Sequence, residues 1–156
     1  DLVAEVAAEL AGGWSADLGL QWDTDEDRTE RGTVRLRYRP NARSVLNAGY
    51  RFVRDRLEQI DLSGRWPLSP RLAVLGRWNM EIPDQRLLEG FAGFEYQSCC
   101  WALRAVARRY LNNDEPGEEE YSSGVFFQVE LKGLAGLGDR TGRFLEEQIP
   151  GYRNAF

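Results

Sequence analysis

Two adjacent cysteines, Cys99 and Cys100, are the residues of this chain whose type and spacing are best suited to chemistry. Successive residues of an extended chain point to opposite sides, so a disulfide between the two neighbours would be strained. Two interpretations stay open. The thiols are buried and inert, or each bonds a different cysteine outside this segment, which an oxidising compartment permits. We expect no metal site here, because the pair lacks further cysteine or histidine ligands at metal-binding spacing.

Catalysis by side chains has little support in this composition. The chain contains no histidine, which removes the commonest general base and metal ligand. A nucleophile needs a positioned base, and the remaining acid pair, Asp23 and Asp25, lies in what reads as an ordinary acidic loop. We therefore expect no enzyme activity and no cofactor. The net charge of −5 and the lack of a basic stripe with stacking aromatics make nucleic acid an unexpected partner.

The elements that must position these residues are predicted by period-two alternation of apolar and polar residues, which is typical of β-strands. Only a strand places Arg35, Arg37 and Arg39 on one face, since a helix would spread them around its axis. Nine stretches carry the pattern: Leu2–Leu10, Trp14–Trp22, Val34–Tyr38, Leu46–Phe52, Ile60–Trp66, Leu72–Trp78, Leu88–Tyr96, Trp101–Ala107 and Val125–Leu131. The fold class is predicted as all-β and antiparallel.

The connections and the aromatic residues favour a membrane setting. Short turns at Ala11–Gly13, Pro40–Arg43, Pro67–Pro70 and Gln97–Cys100 alternate with connections that include two longer loops, Thr24–Glu30 and Asn112–Ser122. Tryptophan and tyrosine recur near both ends of the strands, as in the aromatic belts of membrane proteins. Such features are typical of bacterial outer-membrane β-barrels, whose short turns face the periplasm. We therefore predict a transmembrane β-barrel segment.

An odd number of strands cannot close a bacterial single-chain barrel, and an open sheet edge is not stable in lipid. The nine strands are therefore predicted to belong to a larger, even-stranded barrel. Residues 1–132 would form its strands and residues 133–156 a periplasmic C-terminal tail that packs on the turns or on another domain. Two alternatives stay open: another outer-membrane porin or transporter, or a soluble lipid-binding barrel with its apolar face inward.

One face of the predicted sheet is rich in charge. The lumen-facing set comprises Arg35, Arg37, Arg39, Arg104, Arg108 and Glu130. This set could be a hydrated wall of compensating charges. It could also guide phosphate groups, because a guanidinium binds phosphate through two parallel hydrogen bonds.

Near the cysteines, the run Gly93–Arg104, the stretches Gln128–Leu134 and Leu137–Gly138, and the tail Phe144–Tyr152 closely resemble the C-terminal end of the LptD family. That family assembles lipopolysaccharide in the outer membrane of Gram-negative bacteria. The resemblance implies a barrel plugged by the lipoprotein LptE and preceded by a periplasmic jellyroll domain. It also implies contact with a periplasmic bridge, lipopolysaccharide, membrane lipid and, during folding, the barrel-assembly machinery.

The resemblance also implies roles for particular residues. Cys99 and Cys100 would each form an interdomain disulfide with a cysteine near or within the N-terminal domain. The strand Ser123–Lys132 would be the last of the barrel and one lip of a lateral gate, with an apolar face made by Val125, Phe127, Val129 and Leu131.

Overall fold

The fold is seen in a computed structural model that describes residues 2–113, 120–131 and 140–153. The described residues form nine strands: β1 (Leu2–Leu10), β2 (Trp14–Asp23), β3 (Arg28–Asn41), β4 (Ser44–Val53), β5 (Leu57–Pro67), β6 (Leu72–Glu81), β7 (Arg86–Gln97), β8 (Trp101–Asn113) and β9 (Glu120–Leu131). A short 3₁₀ turn, Ala11–Gly13, joins β1 to β2, and one α-helix, α1 (Arg140–Gln148), follows the strands. Across the described ranges, no helix is long and apolar enough to cross a membrane.

The strands form one sheet in which each strand pairs with the next along the chain, always antiparallel. The prediction of an all-β antiparallel fold is confirmed. Neighbouring strands pair in a defined register, in which Glu95 of β7 pairs with Arg104 of β8, and Val106 pairs with Phe126 of β9. Register shifts interrupt the pairs β2–β3, β3–β4, β6–β7 and β8–β9. Because side chains alternate between faces at every step, paired residues place their side chains on the same face and form rows across the sheet.

One predicted loop is shorter than expected. Strand β3 begins at Arg28 and pairs back to Asp23 of β2, so only 24–27 remain of the loop predicted at Thr24–Glu30. The three described hairpins at this rim turn through a residue with positive φ, at Asp27, Asp55 and Gln85. A left-handed residue in a three- or four-residue connection is typical of compact hairpins. The second predicted loop, Asn112–Ser122, is shortened at both ends by β8 and β9, and residues 114–119 lie outside the described residues.

The outer face of the sheet, defined here by the apolar set that includes Trp14, Leu18 and Trp78, has no covering layer in the described chain. Trp78 is 53% exposed and Phe127 of β9 is 72% exposed. Aromatic rings line this face beside the short turns. The ring centroids of Trp14 and Tyr38 lie 4.6 Å apart, those of Tyr38 and Trp66 6.4 Å, and those of Tyr96 and Trp101 5.3 Å. An apolar face of this size and openness requires an apolar environment.

The inner face, which carries Arg35, Arg37 and Arg39, is covered over part of its area by the chain's own tail. One row across this face runs through Val45, Arg65, Leu75, Gly93, Val106 and Phe126. Against this row pack Leu145 and Ile149, which are both fully buried. The core of the described molecule therefore lies between the tail and the inner face, as a cluster of Val45, Leu75, Phe91, Val106, Leu145, Ile149 and Tyr152.

The position of the tail differs from the prediction of contact with the turns. Helix α1 was not predicted, and it packs on the strands themselves, in the half of the sheet next to the short turns. The physical reason is the spacing of Leu145, Ile149 and Tyr152, which places three apolar groups on one side of a helix and its extension. Apolar residues on the inner face of β4, β6, β7 and β8 provide the matching surface.

Gly93 of β7 lies too close to β8 to accept a side chain. A Cβ added there would lie 2.3 Å from the carbonyl oxygen of Ala105 and 3.0 Å from the Cα of Val106, so the backbone of β8 would have to move. We expect Gly93→Ala to destabilise the full-length protein by about 1–3 kcal/mol, the usual cost of overpacking. Urea unfolding followed by tryptophan fluorescence measures the change. Gly32→Ala is the matched control, because a Cβ at Gly32 has no atom within 4 Å; equal midpoints for both variants would contradict the packing described.

Candidate functional site at the cysteine turn and the inner charge cluster

The two cysteines lie in the turn Ser98–Cys100 between β7 and β8, at a short-turn end of the sheet. The turn is closed by a hydrogen bond from the Ser98 amide to the Trp101 carbonyl (2.8 Å), and the Gln97 amide joins the end of β7 to the Arg71 carbonyl beside β6 (2.7 Å). Both thiols are exposed, with their sulfur atoms 2.9 Å apart. Their exposure contradicts the interpretation as buried, inert thiols.

The neighbouring thiol changes the acidity of Cys99. A hydrogen bond from the Cys100 thiol, helped by the Ser98 hydroxyl, lowers the pKa of Cys99 from its ordinary value. Because the thiolate is the reactive form of cysteine, Cys99 is suited to thiol–disulfide exchange as the attacking sulfur. The described turn therefore has two properties that favour exchange, accessible sulfur atoms and a larger thiolate fraction at Cys99.

Glu95 of β7 and Arg104 of β8 face each other on the inner face, three residues before Ser98 and four residues after Cys100. Glu95 is 2% exposed and Arg104 is 1% exposed. The Glu95 carboxylate accepts from Arg104 Nε at 3.3 Å and from Arg65 Nε at 3.0 Å. Arg65 Nη1 also donates to the Arg43 carbonyl at 2.5 Å. One carboxylate thus holds two buried guanidinium groups, an arrangement that is stable only when every partner is in place.

Tyr152 of the tail completes this group of residues, which we call the inner charge cluster: Arg65, Glu95, Arg104 and Tyr152. Arg104 Nη2 donates to the Tyr152 hydroxyl at 2.5 Å, and that hydroxyl donates to Glu95. Burial and the nearby Glu95 carboxylate raise the pKa of Tyr152 above its ordinary value. The hydroxyl therefore stays protonated and can donate to Glu95 at every physiological pH.

Other inner-face arginines also hold the tail. Arg77 pairs with Asp61 (Nη2 to Oδ2, 2.5 Å) and donates to the Gln148 side chain at the end of α1. Arg108 pairs with Glu89 at 2.7 Å, and its guanidinium lies 4.9 Å from the centre of the Phe144 ring. Arg39 donates to the Gly151 carbonyl. Each interaction is charge-assisted, which makes it stronger than a neutral hydrogen bond.

The predicted lumen-facing set lies on one face, but the structure divides it into two groups. Arg39, Arg104 and Arg108 contact the tail, as described above. Arg35 and Arg37 lie on the part of β3 beyond it, where Arg37 donates to the Asn47 side chain at 3.1 Å. Glu130 of β9 lies opposite Ala102 in the register, on the same face.

The predicted gate residues lie together on β9. Val125, Phe127, Val129 and Leu131 occupy the outer face and are all exposed. Strand β9 pairs with β8 on one side, and among the described residues its other side has no strand partner. The glycines Gly133, Gly136 and Gly138 and residue Lys132 lie outside the described residues.

The acidic residues Asp23, Asp25 and Glu26 at the opposite rim lie in the hairpin between β2 and β3. Asp23 accepts hydrogen bonds from the backbone amides of Asp25 (2.8 Å) and Glu26 (3.3 Å), so it stabilises the hairpin turn. Ligand atoms of Asp23, Glu26 and Glu30 lie within 4.8 Å of one another, but the two glutamates already share Arg28 as their cation. We therefore do not assign a metal site to Asp23, Glu26 and Glu30.

Sequence reasoning missed the role of Tyr152 as a polar partner of the inner charge cluster. The tail was described only by its apolar character, although the spacing of Leu145, Ile149 and Tyr152 could have indicated a helical face. The apolar residues Leu75, Phe91 and Val106 at inner-face positions were the matching signal on the strands, since they interrupt a face that is otherwise polar.

Comparisons with known proteins identify the relatives of this chain. The family model described as "LPS transport system D" (LptD) matches residues 1–72. The chain is 45% identical over 155 residues to the LPS-assembly protein LptD of Nitrosococcus oceani, covering 99% of this chain and 21% of that protein. It is 37% identical to the LptD proteins of Thiobacillus denitrificans (98% of this chain, 20% of that protein) and Pseudomonas aeruginosa (90% and 18%). The chain spans about a fifth of the length of these curated relatives.

Removal of the Glu95 charge should release the tail. In Glu95→Gln, two buried arginines lose their shared carboxylate, so we expect a loss of about 3–5 kcal/mol, as for a broken buried ion pair. Urea unfolding of the full-length protein measures this loss, and tryptic cleavage at Arg143 reports on tail release. Glu89→Gln is the control, because its pair with Arg108 is more exposed and should be worth about 1 kcal/mol or less. A Glu95 variant that resists trypsin as wild type does would contradict the role of the cluster.

The reduced Cys99 thiol should react at a lower pH than an ordinary cysteine. Because the pKa of Cys99 is lowered, its alkylation by iodoacetamide should reach half-maximal rate at a lower pH than alkylation of a cysteine in an unstructured peptide. Cys100→Ala removes the hydrogen-bond donor, so the Cys99 profile should move to higher pH. Mass spectrometry of peptides alkylated across a pH series measures both profiles. Identical Cys99 profiles with and without the Cys100 thiol would rule out this cause.

Proposed function

Because this chain belongs to the LptD family, we propose that it forms the last nine strands of an outer-membrane β-barrel that inserts lipopolysaccharide into the outer leaflet of a Gram-negative cell. The observation that carries the proposal is the division of the sheet into two faces. The outer face is apolar, bordered by aromatic rings and fully open, whereas the inner face is charged and partly covered by the protein's own tail.

The exposed outer face supports a membrane location. A soluble protein rarely exposes a continuous apolar surface across a whole sheet. Side chains such as Leu18, Leu62 and Trp78 that contact acyl chains avoid the free-energy cost of exposure to water. The stacked rings of Trp14, Tyr38 and Trp66 lie at one end of the strands, which suits the headgroup level of a bilayer. Bacterial outer-membrane barrels have short turns on the periplasmic side, so the short turns, and with them the cysteines, would face the periplasm.

The inner face supports a transport role for the lumen. Arg35 and Arg37 lie beyond the tail, on a part of the wall that is open in the described chain, and a guanidinium binds phosphate well. We propose that this part of the wall meets the phosphate groups of lipopolysaccharide or the LptE plug. Arg39, Arg104, Arg108 and the buried members of the cluster have a different role, since they hold the tail.

Strand β9 is proposed as one lip of a lateral gate. Its outer side chains are apolar, and in the described chain one of its edges has no partner. An edge strand at a seam can separate from the neighbouring first strand at a low cost, because only that one ladder of hydrogen bonds must break. The lipid moiety of lipopolysaccharide would pass along Val125, Phe127 and Val129 as it enters the outer leaflet.

The cysteine turn is proposed to bind the barrel covalently to the periplasmic part of the same protein. Cys99 and Cys100 are both accessible, and each would form a disulfide with a cysteine near or within the N-terminal jellyroll domain, which connects to the periplasmic bridge. Two bonds at one turn would keep the entrance of the barrel aligned with the bridge. The barrel-assembly machinery would insert the strands before or during this step.

Two other functions fit the observations less well. A different outer-membrane porin or transporter would share the two faces but has no need for adjacent, accessible cysteines at a periplasmic turn. A soluble lipid-binding barrel would place Trp14 and Trp78 inside and the arginines outside, the reverse of the exposure observed. An enzyme is not proposed, because the sequence has no histidine to serve as a general base.

The cysteines provide the test of this function. In cells that depend on the full-length protein, Cys99→Ser should leave one linkage and partial lipopolysaccharide export, while Cys99→Ser with Cys100→Ser should reduce surface lipopolysaccharide to the level of a depleted strain. Non-reducing electrophoresis shows the linkages, and labelling of surface lipopolysaccharide measures export. Ala42→Ser, at the exposed turn between β3 and β4, is the control. Wild-type mobility that does not change with reductant would refute the disulfides, and normal export by the double variant would refute their role.

A further inference from the structure

The segment Phe144–Tyr152, which we call the strap, crosses the inner face from β9 to β3. At one end, the ring of Phe144 lies 5.4 Å from that of Phe91 on β7 and 6.5 Å from that of Phe126 on β9. At the other end, the Pro150 carbonyl accepts from Asn47 of β4 at 3.0 Å and the Gly151 carbonyl from Arg39 of β3. The strap therefore contacts strands that are far apart in the sheet order and do not contact one another.

The strap ends beside the hairpin that carries the thiols. Tyr152 binds Glu95 and Arg104, the inner-face pair of the β7–β8 hairpin, and the closing pair of that hairpin is Gln97 with Ala102. Gln97, Tyr152 and Arg153 line the same small cleft of about 80 Å³. Only Ser98 separates Gln97 from Cys99.

The base of this hairpin is also held on its outer face. The rings of Tyr96 and Trp101 lie 5.3 Å apart there, and aromatic pairs of this kind add to the stability of cross-strand contacts. The inner charge cluster and the Tyr96–Trp101 pair thus fix the two strands from opposite sides. Cys99 and Cys100, by contrast, remain exposed, so the strap restrains the turn without covering the thiols.

From this arrangement we propose that the strap is a positioning element for the thiol chemistry of the turn, with Tyr152, Glu95 and Arg104 as its positioning residues. The docked strap holds the base of the β7–β8 hairpin in one orientation and so presents Cys99 and Cys100 to a partner cysteine. This inference rests on the proposed disulfide role of the two cysteines. It adds that the docked strap makes them able to react with a partner cysteine.

The chemical step is exchange with an existing protein disulfide. The Cys99 thiolate attacks one sulfur of that disulfide, a new sulfur–sulfur bond forms, the old one breaks, and the departing thiolate takes up a proton. No net oxidation occurs, because one disulfide replaces another. The rate of such a step depends on how often the attacking sulfur and the partner meet in a productive geometry, and the strap acts on this frequency.

Docking also sets an order of events. The surface that receives the strap is assembled from side chains of β3 to β9, including Arg39, Val45, Arg65 and Leu75. The strap can dock only after these strands have paired in their final register. Exchange at the turn is therefore favoured once the wall has formed and disfavoured before, when a wrong disulfide would be most damaging.

The test compares the rate of disulfide formation in variants of the full-length protein during synthesis in cells. Tyr152→Phe removes only the hydroxyl, Ile149→Asp undocks the strap, and Glu147→Gln on the exposed side of α1 is the matched control. Samples are quenched with an alkylating agent at intervals and run on non-reducing gels. The amount of heat-modifiable barrel is measured in parallel, so that each rate refers to assembled molecules.

We expect formation of the linked species to slow roughly tenfold in Ile149→Asp and a few-fold in Tyr152→Phe, because only molecules with a docked strap are competent. Glu147→Gln should match wild type. Alkylation of reduced Cys99 by a small reagent should keep its wild-type pH profile in Tyr152→Phe, which separates loss of positioning from general loosening of the turn.

Wild-type rates in both Tyr152→Phe and Ile149→Asp would overturn the positioning role while the proposed disulfides stand. A wild-type protein that never forms a linkage through Cys99 or Cys100 would instead overturn the proposed function, and the positioning role with it. If Tyr152→Phe changed the pH profile of Cys99 alkylation but left the rate of disulfide formation unchanged, that result would also contradict the positioning role.

Discussion

The Glu95 carboxylate, placed between the guanidinium groups of Arg65 and Arg104, is the interaction on which the arrangement of this molecule depends. Two buried cations sharing one anion are costly unless further partners complete their hydrogen bonds. The completing partner is the Tyr152 hydroxyl, which comes from a segment more than 50 residues away in the chain. The charge cluster and the tail are therefore mutually dependent, because the tail seals the cluster from water and the cluster gives the tail a buried polar anchor.

This dependence explains how a sheet with an exposed apolar face can have a well-packed interior on its charged side. Most of the apolar area of the sheet lies outward, where side chains such as Trp78 and Phe127 are open. Inward, a small group that includes Val45, Leu75 and Val106 provides a local apolar patch among charges. Helix α1 covers that patch with Leu145 and Ile149, so the hydrophobic effect fixes the position of the tail and the charge cluster fixes its orientation.

Much of the fold and part of the site could be predicted from the sequence. Alternation is a local property, so the nine strands and the shared face of Arg35, Arg37 and Arg39 follow from neighbours along the chain. The outer aromatic row around Trp14 and Tyr38 follows in the same way. The loop predicted from the acidic run Thr24–Glu30 was too long, because the pairing of β2 with β3 continues to Arg28, and cross-strand hydrogen bonds outweigh the local preference of charged residues for loops.

The sequence by itself determined the strands, their two faces and the adjacency of Cys99 and Cys100, because each of these depends on residues one or two steps apart. Only the tertiary structure decided which arginines bind carboxylates, which hold the tail, and that Tyr152 lies beside the hairpin of the thiols. Those contacts join residues far apart in sequence, and their partners are selected by register and by the row of Val45, Leu75 and Val106 that receives the helix. A local pattern contains no information about such distant pairings, since many arginines on the same face could have served equally well.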